Sequence, residues 1–324
     1  MTKSSRMALV LGATGGIGGE TARALARHGW KVRALSRSGQ PAKADRGWEE
    51  LGWAWVKGDS MDRASIVAAA EGADAIVHAV NPPGYKNWAT LVVPMMENTI
   101  AAAKASGARI LLPGTIYNYG ADAFPVLRED SPQRATTKKG KIRIELEAKM
   151  EAAAREGVRS LILRLGDFFG PKTGGSWFSQ AMVKPNEPVK SIMNPGSMGI
   201  GHAWAYLPDA GETLAQLMDR EEELADFERF HFRGYWDADG TGMIAAIRKA
   251  VKNEAIPVKP APWWLFGLLS PFNETMRELY AMRSLWRAPI QLDGTKLVGF
   301  LGREPHTPLE EAMETTLKGM GCLA

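Results

Sequence analysis

The first half of the chain alternates short apolar runs with stretches that have the periodicity of helices. Residues 7–11 are an uninterrupted apolar run, which predicts a strand buried on both faces. Further strands are predicted at 32–35, 53–56, 75–79, 110–112 and 160–165. Between the strands, helices are predicted at about 17–28, 62–70 and 141–155. A further long helix is predicted after the fourth strand and ends at residue 106. This alternation predicts an α/β fold with a doubly wound parallel sheet that helices cover on both faces.

After Gly166 the regular alternation ends. Residues 171–201 are rich in Gly, Pro, Ser and Asn, which predicts loops with short strands. Residues 257–262 form a proline-rich, extended connector, and further helices are predicted at 209–219, 242–252, 273–286 and 308–318. We therefore predict a sheet domain over residues 1–165 with a returning segment near 202–220. Residues 166–324 then form mainly a smaller, substrate-binding lobe.

Composition and charge exclude several classes of protein. The chain has 324 residues, and its net charge of +4 is spread along the chain rather than concentrated, which argues against a nucleic-acid partner. The single cysteine, Cys322, excludes an internal disulfide and an all-cysteine metal site. The five histidines have no metal-ligand spacing, so no metal is expected. We expect a cytoplasmic protein.

The longest apolar run, residues 263–269, is far shorter than the roughly 20 residues that span a bilayer. No membrane span is therefore expected. A buried helix is favoured here over a helix that lies on a membrane surface. Its first four residues, Trp263 to Phe266, are predicted to cap the second lobe or to serve a partner interface.

A glycine-rich turn follows the first strand and opens the first helix. Gly12 suits the tight turn, Gly15 allows the backbone to approach a pyrophosphate, and Gly18 allows close packing of helix on strand. The free amides and the positive end of the helix attract phosphates. The turn therefore predicts a Rossmann-type dinucleotide site with these candidate residues: Gly12, Thr14, Gly15, Gly16, Ile17 and Gly18.

The spacing Gly-x-x-Gly-x-x-Gly resembles the short-chain dehydrogenase/reductase superfamily, and most closely its extended branch, the NAD-dependent epimerase/dehydratase family. Further segments carry the resemblance along the chain: Gly58-Asp59, His78–Asn81, Thr115–Gly120, Arg164–Pro171 and His202–Asp209. The resemblance implies an enzyme that binds a nicotinamide cofactor and a small-molecule substrate, and it allows a homodimer. It also implies that Asp59 lies near the adenine and Ala79 near the nicotinamide ribose.

The end of the second strand indicates which cofactor is bound. NAD-preferring sites place an acidic residue there to hold the ribose 2′-hydroxyl. This chain has instead Ser36 and Arg37, which offer a hydroxyl and a guanidinium to a phosphate. The sequence therefore favours NADP(H) over NAD(H).

The family's catalytic pair, Tyr-x-x-x-Lys on the helix after the fifth strand, is only partly matched. The family's lysine is commonly followed four residues later by Glu, which assigns Lys141 with Glu145 and puts Thr137 where the tyrosine is expected. The resemblance implies that Lys141 holds the nicotinamide ribose and supports catalysis. A threonine hydroxyl is too weak an acid to replace a phenol.

The proton donor is therefore expected elsewhere. Thr115 aligns with the family's catalytic serine and is expected to orient the substrate oxygen. Tyr117, two residues later, is the candidate replacement acid, and Tyr85 is another possible donor. Tyr119 is expected to pack in the core.

These residues predict an NADP(H)-dependent oxidoreductase of the extended short-chain type, acting on a small carbonyl, alcohol or sugar-like substrate. Two alternatives stay open. One is an epimerase or dehydratase that keeps NAD(P) tightly bound, and the other is a non-catalytic NADP(H)-binding sensor or assembly protein. The absence of a tyrosine four residues before Lys141 favours the non-catalytic alternative.

Overall fold

A computed structural model describes residues 6–40, 52–82 and 87–323. Its strands are β1 Met7–Leu11, β2 Lys31–Ser36, β3 Ala54–Lys57, β4 Ala75–His78, β5 Arg109–Thr115, β6 Val126–Leu127, β7 Ser160–Leu165, β8 Asp167–Phe169, β9 Ile192–Asn194, β10 His202–Tyr206, β11 Phe227–His231, β12 Tyr235–Asp237, β13 Val258–Pro260 and β14 Gln291–Leu292. Its α-helices are α1 Gly16–Arg27, α2 Arg63–Ala69, α3 Trp88–Ser106, α4 Lys138–Ala154, α5 Leu207–Asp219, α6 Gly242–Ala250, α7 Trp263–Leu269, α8 Glu274–Met282, α9 Thr295–Leu301 and α10 Leu309–Gly319.

The large sheet has seven parallel strands in the order β11-β7-β5-β4-β1-β2-β3. The chain runs outwards from β1 through β2 to β3, then returns to β4 on the other side of β1. This reversal makes the gap between β1 and β4 a topological switch point, where α/β proteins bind ligands beyond the carboxyl ends of their strands. The predicted α/β, doubly wound architecture is confirmed.

Helices cover both faces of this sheet. On one face, α1 packs on α5 so closely that a Cβ atom on Gly211 would lie 2.7 Å from the backbone of Glu20. On the other face, α2, α3 and α4 bury apolar side chains, among them Ile66, Met96 and Leu146, against the strands. Both faces of the central strands are therefore dry, which explains their uninterrupted apolar sequences.

A second apolar core is formed mainly by residues of the predicted second lobe, together with Ile116, Tyr119 and Leu127 from the first half of the chain. A three-stranded sheet in the order β12-β10-β8 packs with α6 and α10. Its core is strongly aromatic, and Trp177, Trp204 and Trp286 lie within it. The two-stranded pairings β14-β6 and β13-β9 join segments that are far apart in the chain.

Three features differ from the sequence-based predictions. Strand β11 at the edge of the large sheet and helix α9 were not predicted, because both are short and lack clear periodicity. Residues 263–269 do form a helix, but it is not buried, since the side chain of Trp264 is 73% exposed. Among the described residues, no helix is long and apolar enough to cross a bilayer.

Candidate active site

The turn between β1 and α1 brings glycines against the end of β4. Gly12 has a φ of +88°, and a Cβ atom there would lie 2.5 Å from the carbonyl oxygen of Ala79. A Cβ atom on Gly18 would lie 2.3 Å from the carbonyl oxygen of Gly12. Gly15 is exposed, and its Cβ atom would meet only the oxygen of Gly12, at 3.2 Å. Gly12 and Gly18 therefore serve the packing of the turn, whereas Gly15 leaves the backbone open to a ligand.

The N-terminus of α1 has no side-chain cap and no acidic residue in its first turn. Its first amides have no acceptor within the helix, and the helix dipole gives this end a partial positive charge. Gly16 and Ile17 of this first turn face a cavity. The arrangement suits a phosphate or pyrophosphate group.

The cavity has a volume of about 290 Å³ and extends from the glycine turn to the end of β5. The structure brings several predicted site residues together in its wall: Gly15, Gly16, Ile17, Ala79, Thr115 and Tyr117. The aromatic residues Trp88, Phe168 and Trp177 also line it. Thr115 and Tyr117 both line the cavity, but Ile116–Asn118 is a 3₁₀ turn, so this placement does not come from the extended backbone that a spacing of two residues would require.

The other predicted cofactor residues surround the ends of β1, β2 and β3. Thr14 is exposed at the glycine turn, Ser36 ends β2, and Arg37 follows it with an exposed side chain. The described residues 31–40 contain no acidic side chain. Asp59 follows β3, and like Thr14, Ser36 and Arg37 it does not line the cavity. These positions suit the adenosine half of a dinucleotide, because β1, β2 and β3 are neighbours in the sheet.

The structure does not bring Lys141 to the cavity. Lys141 and Glu145 are exposed on α4, and neither lines the cavity. Arg143 and Glu147 repeat the same four-residue spacing on the buried side of the helix, and Arg143 lines the cavity. Successive helical residues are about 100° apart, so positions two apart point in nearly opposite directions. The register based on Lys141 is therefore corrected, and Arg143 takes the position that faces the cavity.

Arg143 is held in place by contacts from two elements. Its Nη2 donates a hydrogen bond of 2.7 Å to Oδ1 of Asn81, and its guanidinium lies 5.0 Å from the centre of the Trp88 ring. Burial lowers the pKa of Arg143, while Glu147 and Tyr117 act in the opposite direction. Arg143 therefore places a positive charge beside Tyr117 at the wall of the cavity.

One turn before Arg143, α4 carries another buried cation. Nζ of Lys139 lies 3.8 Å from Oε2 of Glu278 and 5.3 Å from the centre of the Trp88 ring. Burial lowers the pKa of Lys139 to about 7, although Glu278 opposes this shift. Thr137, which the Lys141 register puts at the position of the family's tyrosine, is the N-cap of α4, where its hydroxyl accepts a hydrogen bond of 3.1 Å from the amide of Gly140. Thr137 thus serves the helix start.

Glu147 anchors α4 to the sheet. Both of its carboxylate oxygens accept hydrogen bonds from Arg164 of β7, at 2.5 and 2.8 Å, in the buried interior. The Arg164 charge holds the pKa of Glu147 below its usual value despite burial. Beside this pair, Tyr119 is buried and its hydroxyl lies 3.2 Å from Nε2 of His231. The expectation that Tyr119 packs in the core is confirmed.

A carboxylate and an imidazole pair at the far side of the cavity. Asp167 lines the cavity, and its Oδ2 accepts a hydrogen bond of 2.6 Å from Nε2 of His202. The His202 ring stacks on Trp286, with ring centres 3.9 Å apart. Both partners are buried. The pair places a carboxylate of the second lobe at the cavity surface.

Sequence reasoning missed Arg143, Asn81 and the Asp167–His202 pair. A signal for Arg143 was present, because the four-residue spacing to Glu147 matches the family pattern as well as Lys141 with Glu145 does. No local signal existed for the Asp167–His202 pair, which forms only because β8 and β10 lie side by side. Tyr85, the other possible proton donor, lies outside the described residues.

Two observations test whether the residues present fit a nicotinamide dinucleotide. The glycine turn offers uncapped amides where Gly15 leaves the backbone open. In addition, Nε of Arg143 is buried and has no hydrogen-bond partner among the described residues. A buried donor without an acceptor is unfavourable, and an oxygen of a ribose or substrate in the cavity would satisfy it. The site fits the cofactor.

Comparisons with known proteins identify a family and a shared fold. The sequence model of the NAD dependent epimerase/dehydratase family matches residues 8–229. No curated protein matches the chain.

Several solved structures share the fold along nearly the whole chain. UDP-glucose 4-epimerase from Bifidobacterium longum, in complex with NAD+ and UDP, is 15% identical with a TM-score of 0.75, and 97% of each chain is covered. DesIV, a dTDP-glucose 4,6-dehydratase from Streptomyces venezuelae with NAD and TYD bound, is 17% identical with a TM-score of 0.74 over 97% of this chain and 96% of that chain. UDP-glucuronic acid 4-epimerase from Bacillus cereus, in complex with NAD, is 16% identical with a TM-score of 0.75 over 97% and 96%.

Proposed function

Because the chain belongs to the NAD dependent epimerase/dehydratase family, we propose that it is an NADP(H)-dependent oxidoreductase. It transfers a hydride between the nicotinamide and a small carbonyl, alcohol or sugar-like substrate. The observation that carries this proposal is that Thr115, Tyr117 and Arg143 line one cavity together with the glycine turn. A hydrogen-bonding hydroxyl, a phenol and a fixed cation are the groups that carbonyl reduction needs around the reacting oxygen.

The amides at the start of α1 hold the pyrophosphate, and Arg143 donates to an oxygen of the nicotinamide ribose or the substrate. When bound, the nicotinamide supplies or accepts the hydride. Thr115 donates a hydrogen bond to the substrate oxygen and so orients the carbonyl carbon. Tyr117 gives its hydroxyl proton to that oxygen during reduction and takes it back during oxidation. The Arg143 charge stabilises the phenolate that remains on Tyr117.

NADP(H) is supported by the end of β2. The exposed guanidinium of Arg37 and the absence of an acidic side chain among residues 31–40 suit a 2′-phosphate and leave the unmodified ribose without its usual acceptor. The reacting groups lie in the same cavity, of about 290 Å³, as the glycine turn. Its wall provides flat apolar surfaces at Trp88 and Trp177 and one carboxylate at Asp167.

The experiment is a screen of aldehydes, ketones and sugar nucleotides in which NADPH oxidation is followed by absorbance. With a compound that turns over, Tyr117→Phe is expected to lower turnover by about 10²-fold, the usual effect of losing a positioned acid. Thr137→Ala is the control. It removes the N-cap of α4 and costs about 1 kcal/mol of stability, but it changes turnover only a few-fold.

Two outcomes would overturn this proposal. If Thr137→Ala is more damaging to turnover than Tyr117→Phe, the proton passes through α4 and not through Tyr117. If no compound in a broad panel turns over while NADPH still binds tightly, the protein is a non-catalytic cofactor binder.

An epimerase or dehydratase is the second candidate, because the similar solved structures carry those names. In that case, the cofactor is reduced and reoxidised within one turnover. NADPH absorbance then stays constant while the product changes, so chromatography of the sugar nucleotides after incubation distinguishes the two reactions.

A further inference from the structure

The helices α7 and α8, with the connection between them, form a hairpin on the second lobe. Residues 260–273, at the start of this hairpin, contain no charged side chain. Four large apolar residues are exposed here: Trp264 at 73%, Leu268 at 63%, Leu269 at 40% and Phe272 at 87%. We call these four residues the apolar surface. They account for most of the exposed large hydrophobic residues in the described part of the chain, where only Met61 and Met198 are also exposed. Such a concentration on one surface marks a contact site.

The exposure is not the result of a loosely attached helix. The opposite side of α7 is fixed to the protein by Trp263, whose Nε1 donates a hydrogen bond of 3.0 Å to the carbonyl oxygen of Pro195. The Trp263 ring also lies 5.7 Å from that of Trp177. A Cβ atom on Gly267 would lie 3.0 Å from the ring of Tyr280, so α7 and α8 are in close contact. The helix is therefore held firmly while its apolar side faces outwards.

Along the hairpin and the residues that flank it in the sequence, the exposed charges have one sign. The two acidic residues of α8 point towards the body of the protein, where Glu274 accepts a hydrogen bond of 3.3 Å from the amide of Asn87 and Glu278 pairs with Lys139. From residue 257 to residue 290, the exposed charged side chains are all basic: Lys259, Arg277 and Arg287. The hairpin thus presents apolar groups and positive charge to its surroundings.

We infer that the α7–α8 hairpin docks on the surface of a lipid bilayer that contains anionic headgroups. Tryptophan and phenylalanine side chains with nearby cations are typical of segments that lie in the membrane interface. Basic residues near an anionic bilayer each add to its attraction. Helix α7 has seven residues and is about 10 Å long, so it lies on the membrane and does not cross it.

A second copy of the chain fits this surface less well. In a symmetric dimer the same face of both copies meets, which brings like charges together around the contact. An anionic bilayer offers an apolar interior to the exposed apolar side chains and negative charge to the basic ones.

The docked hairpin contacts Trp177, which lines the cavity, so membrane binding would bring the cavity close to the lipid. The inference does not depend on the proposed reaction.

Vesicle sedimentation tests the inference. The full chain is mixed with vesicles of phosphatidylcholine alone, or of phosphatidylcholine with about one-third phosphatidylserine, and the bound fraction is measured. Wild type is expected to sediment with the anionic vesicles and to be released by salt. The triple variant Trp264→Ser/Leu268→Ser/Phe272→Ser is expected to bind the anionic vesicles with an affinity at least about tenfold lower, because it loses the inserted apolar groups.

The matched control is Met61→Ser, which removes an exposed apolar side chain on the sheet domain after β3, Met61 being 40% exposed like Leu269. It is expected to bind vesicles like wild type. Circular dichroism and thermal melting confirm that each variant is folded.

The inference is overturned if wild type stays in the supernatant with both vesicle types, or if the folded triple variant sediments as well as wild type. Light scattering shows whether the apolar surface binds a second copy of the chain instead. A wild-type dimer that the triple variant converts to a monomer, with no vesicle binding by either, assigns the surface to a second copy of the chain.

Discussion

Arg143 donates a hydrogen bond of 2.7 Å to Oδ1 of Asn81 and so joins helix α4 to the segment that follows strand β4. The bond crosses the wall of the cavity, and it directs a buried cation to the place where a lysine was expected. Lys141, two residues earlier on the same helix, is exposed. Arg143 is therefore buried at the cavity and Lys141 is exposed, although they are only two residues apart in the sequence.

This difference predicts that the same substitution weakens cofactor binding at one position and leaves it almost unchanged at the other. Arg143→Met keeps most of the side-chain volume but removes the donors, and it is expected to weaken NADPH binding about tenfold or more, which corresponds to about 1.4 kcal/mol. Lys141→Met, the matched control, is expected to leave the affinity within about twofold. Calorimetric titration measures both. Equal losses in the two variants would return the role to Lys141.

The glycine turn separates ligand binding from folding. Gly15→Val is expected to leave the melting temperature of the free protein almost unchanged and to abolish its rise with NADPH, because the new side chain occupies the place of the pyrophosphate. Gly18→Val is expected to destabilise the free protein by about 2–3 kcal/mol, because its Cβ atom would lie 2.3 Å from the oxygen of Gly12. A Gly15→Val protein that still gains stability from NADPH would place the phosphate site elsewhere.

Cofactor preference is expected to depend on Arg37. NADPH should bind at least about tenfold more tightly than NADH, and Arg37→Ala should remove this difference by weakening NADPH alone. Arg303→Ala, at an exposed position on the second lobe, is the control and should preserve the difference. Titration of both cofactors into each protein decides the matter. Equal affinities in wild type would contradict an NADP(H) site.

The Asp167–His202 pair is expected to couple the second lobe to the cavity. His202→Phe keeps a ring on Trp286 but leaves the carboxylate of Asp167 without its donor, and a loss of about 1–3 kcal/mol in the free energy of unfolding is expected. In the double variant with Asp167→Leu, the carboxylate is also gone, so the combined loss should be smaller than the sum of the single losses. Urea unfolding of the four proteins measures this, and strict additivity would exclude the interaction.

Two buried histidines predict how stability depends on pH. Burial, with Arg143 nearby, lowers the pKa of His78 to about 3, and burial together with Arg164 lowers the pKa of His231 to about 3. Between pH 3 and about pH 6.5 the unfolded chain binds protons on these residues and the native protein does not, so the free energy of unfolding falls as pH falls through this range.

Urea unfolding at about pH 7 and pH 5 gives the measurement. The variant His78→Gln should lose part of this pH dependence, whereas His306→Gln, at an exposed position, should retain it. If the stability of His78→Gln changes between the two pH values as much as that of wild type, a neutral, buried His78 in the native state is excluded.

The sequence alone determined the features that depend on neighbouring residues. Apolar runs predicted the strands β1 and β7, and the glycine spacing predicted the turn before α1, because strand periodicity and a positive φ at Gly12 are local properties. Tyr117 reaches the cavity from a 3₁₀ turn over Ile116–Asn118, which its spacing of two residues from Thr115 did not determine. Cofactor choice, substrate and oligomeric state stay predictions.

Only the tertiary structure decided which face of α4 meets the sheet. Lys141 with Glu145 and Arg143 with Glu147 have the same spacing, and the choice between them depends on Arg164, whose buried guanidinium on β7 requires a carboxylate partner. The Asp167–His202 pair likewise exists because β8 and β10 lie side by side. Whether α7 is buried or exposed likewise depends on how many of its apolar side chains contact the second lobe in the folded protein. Contacts between distant segments follow from packing, and local patterns do not encode them.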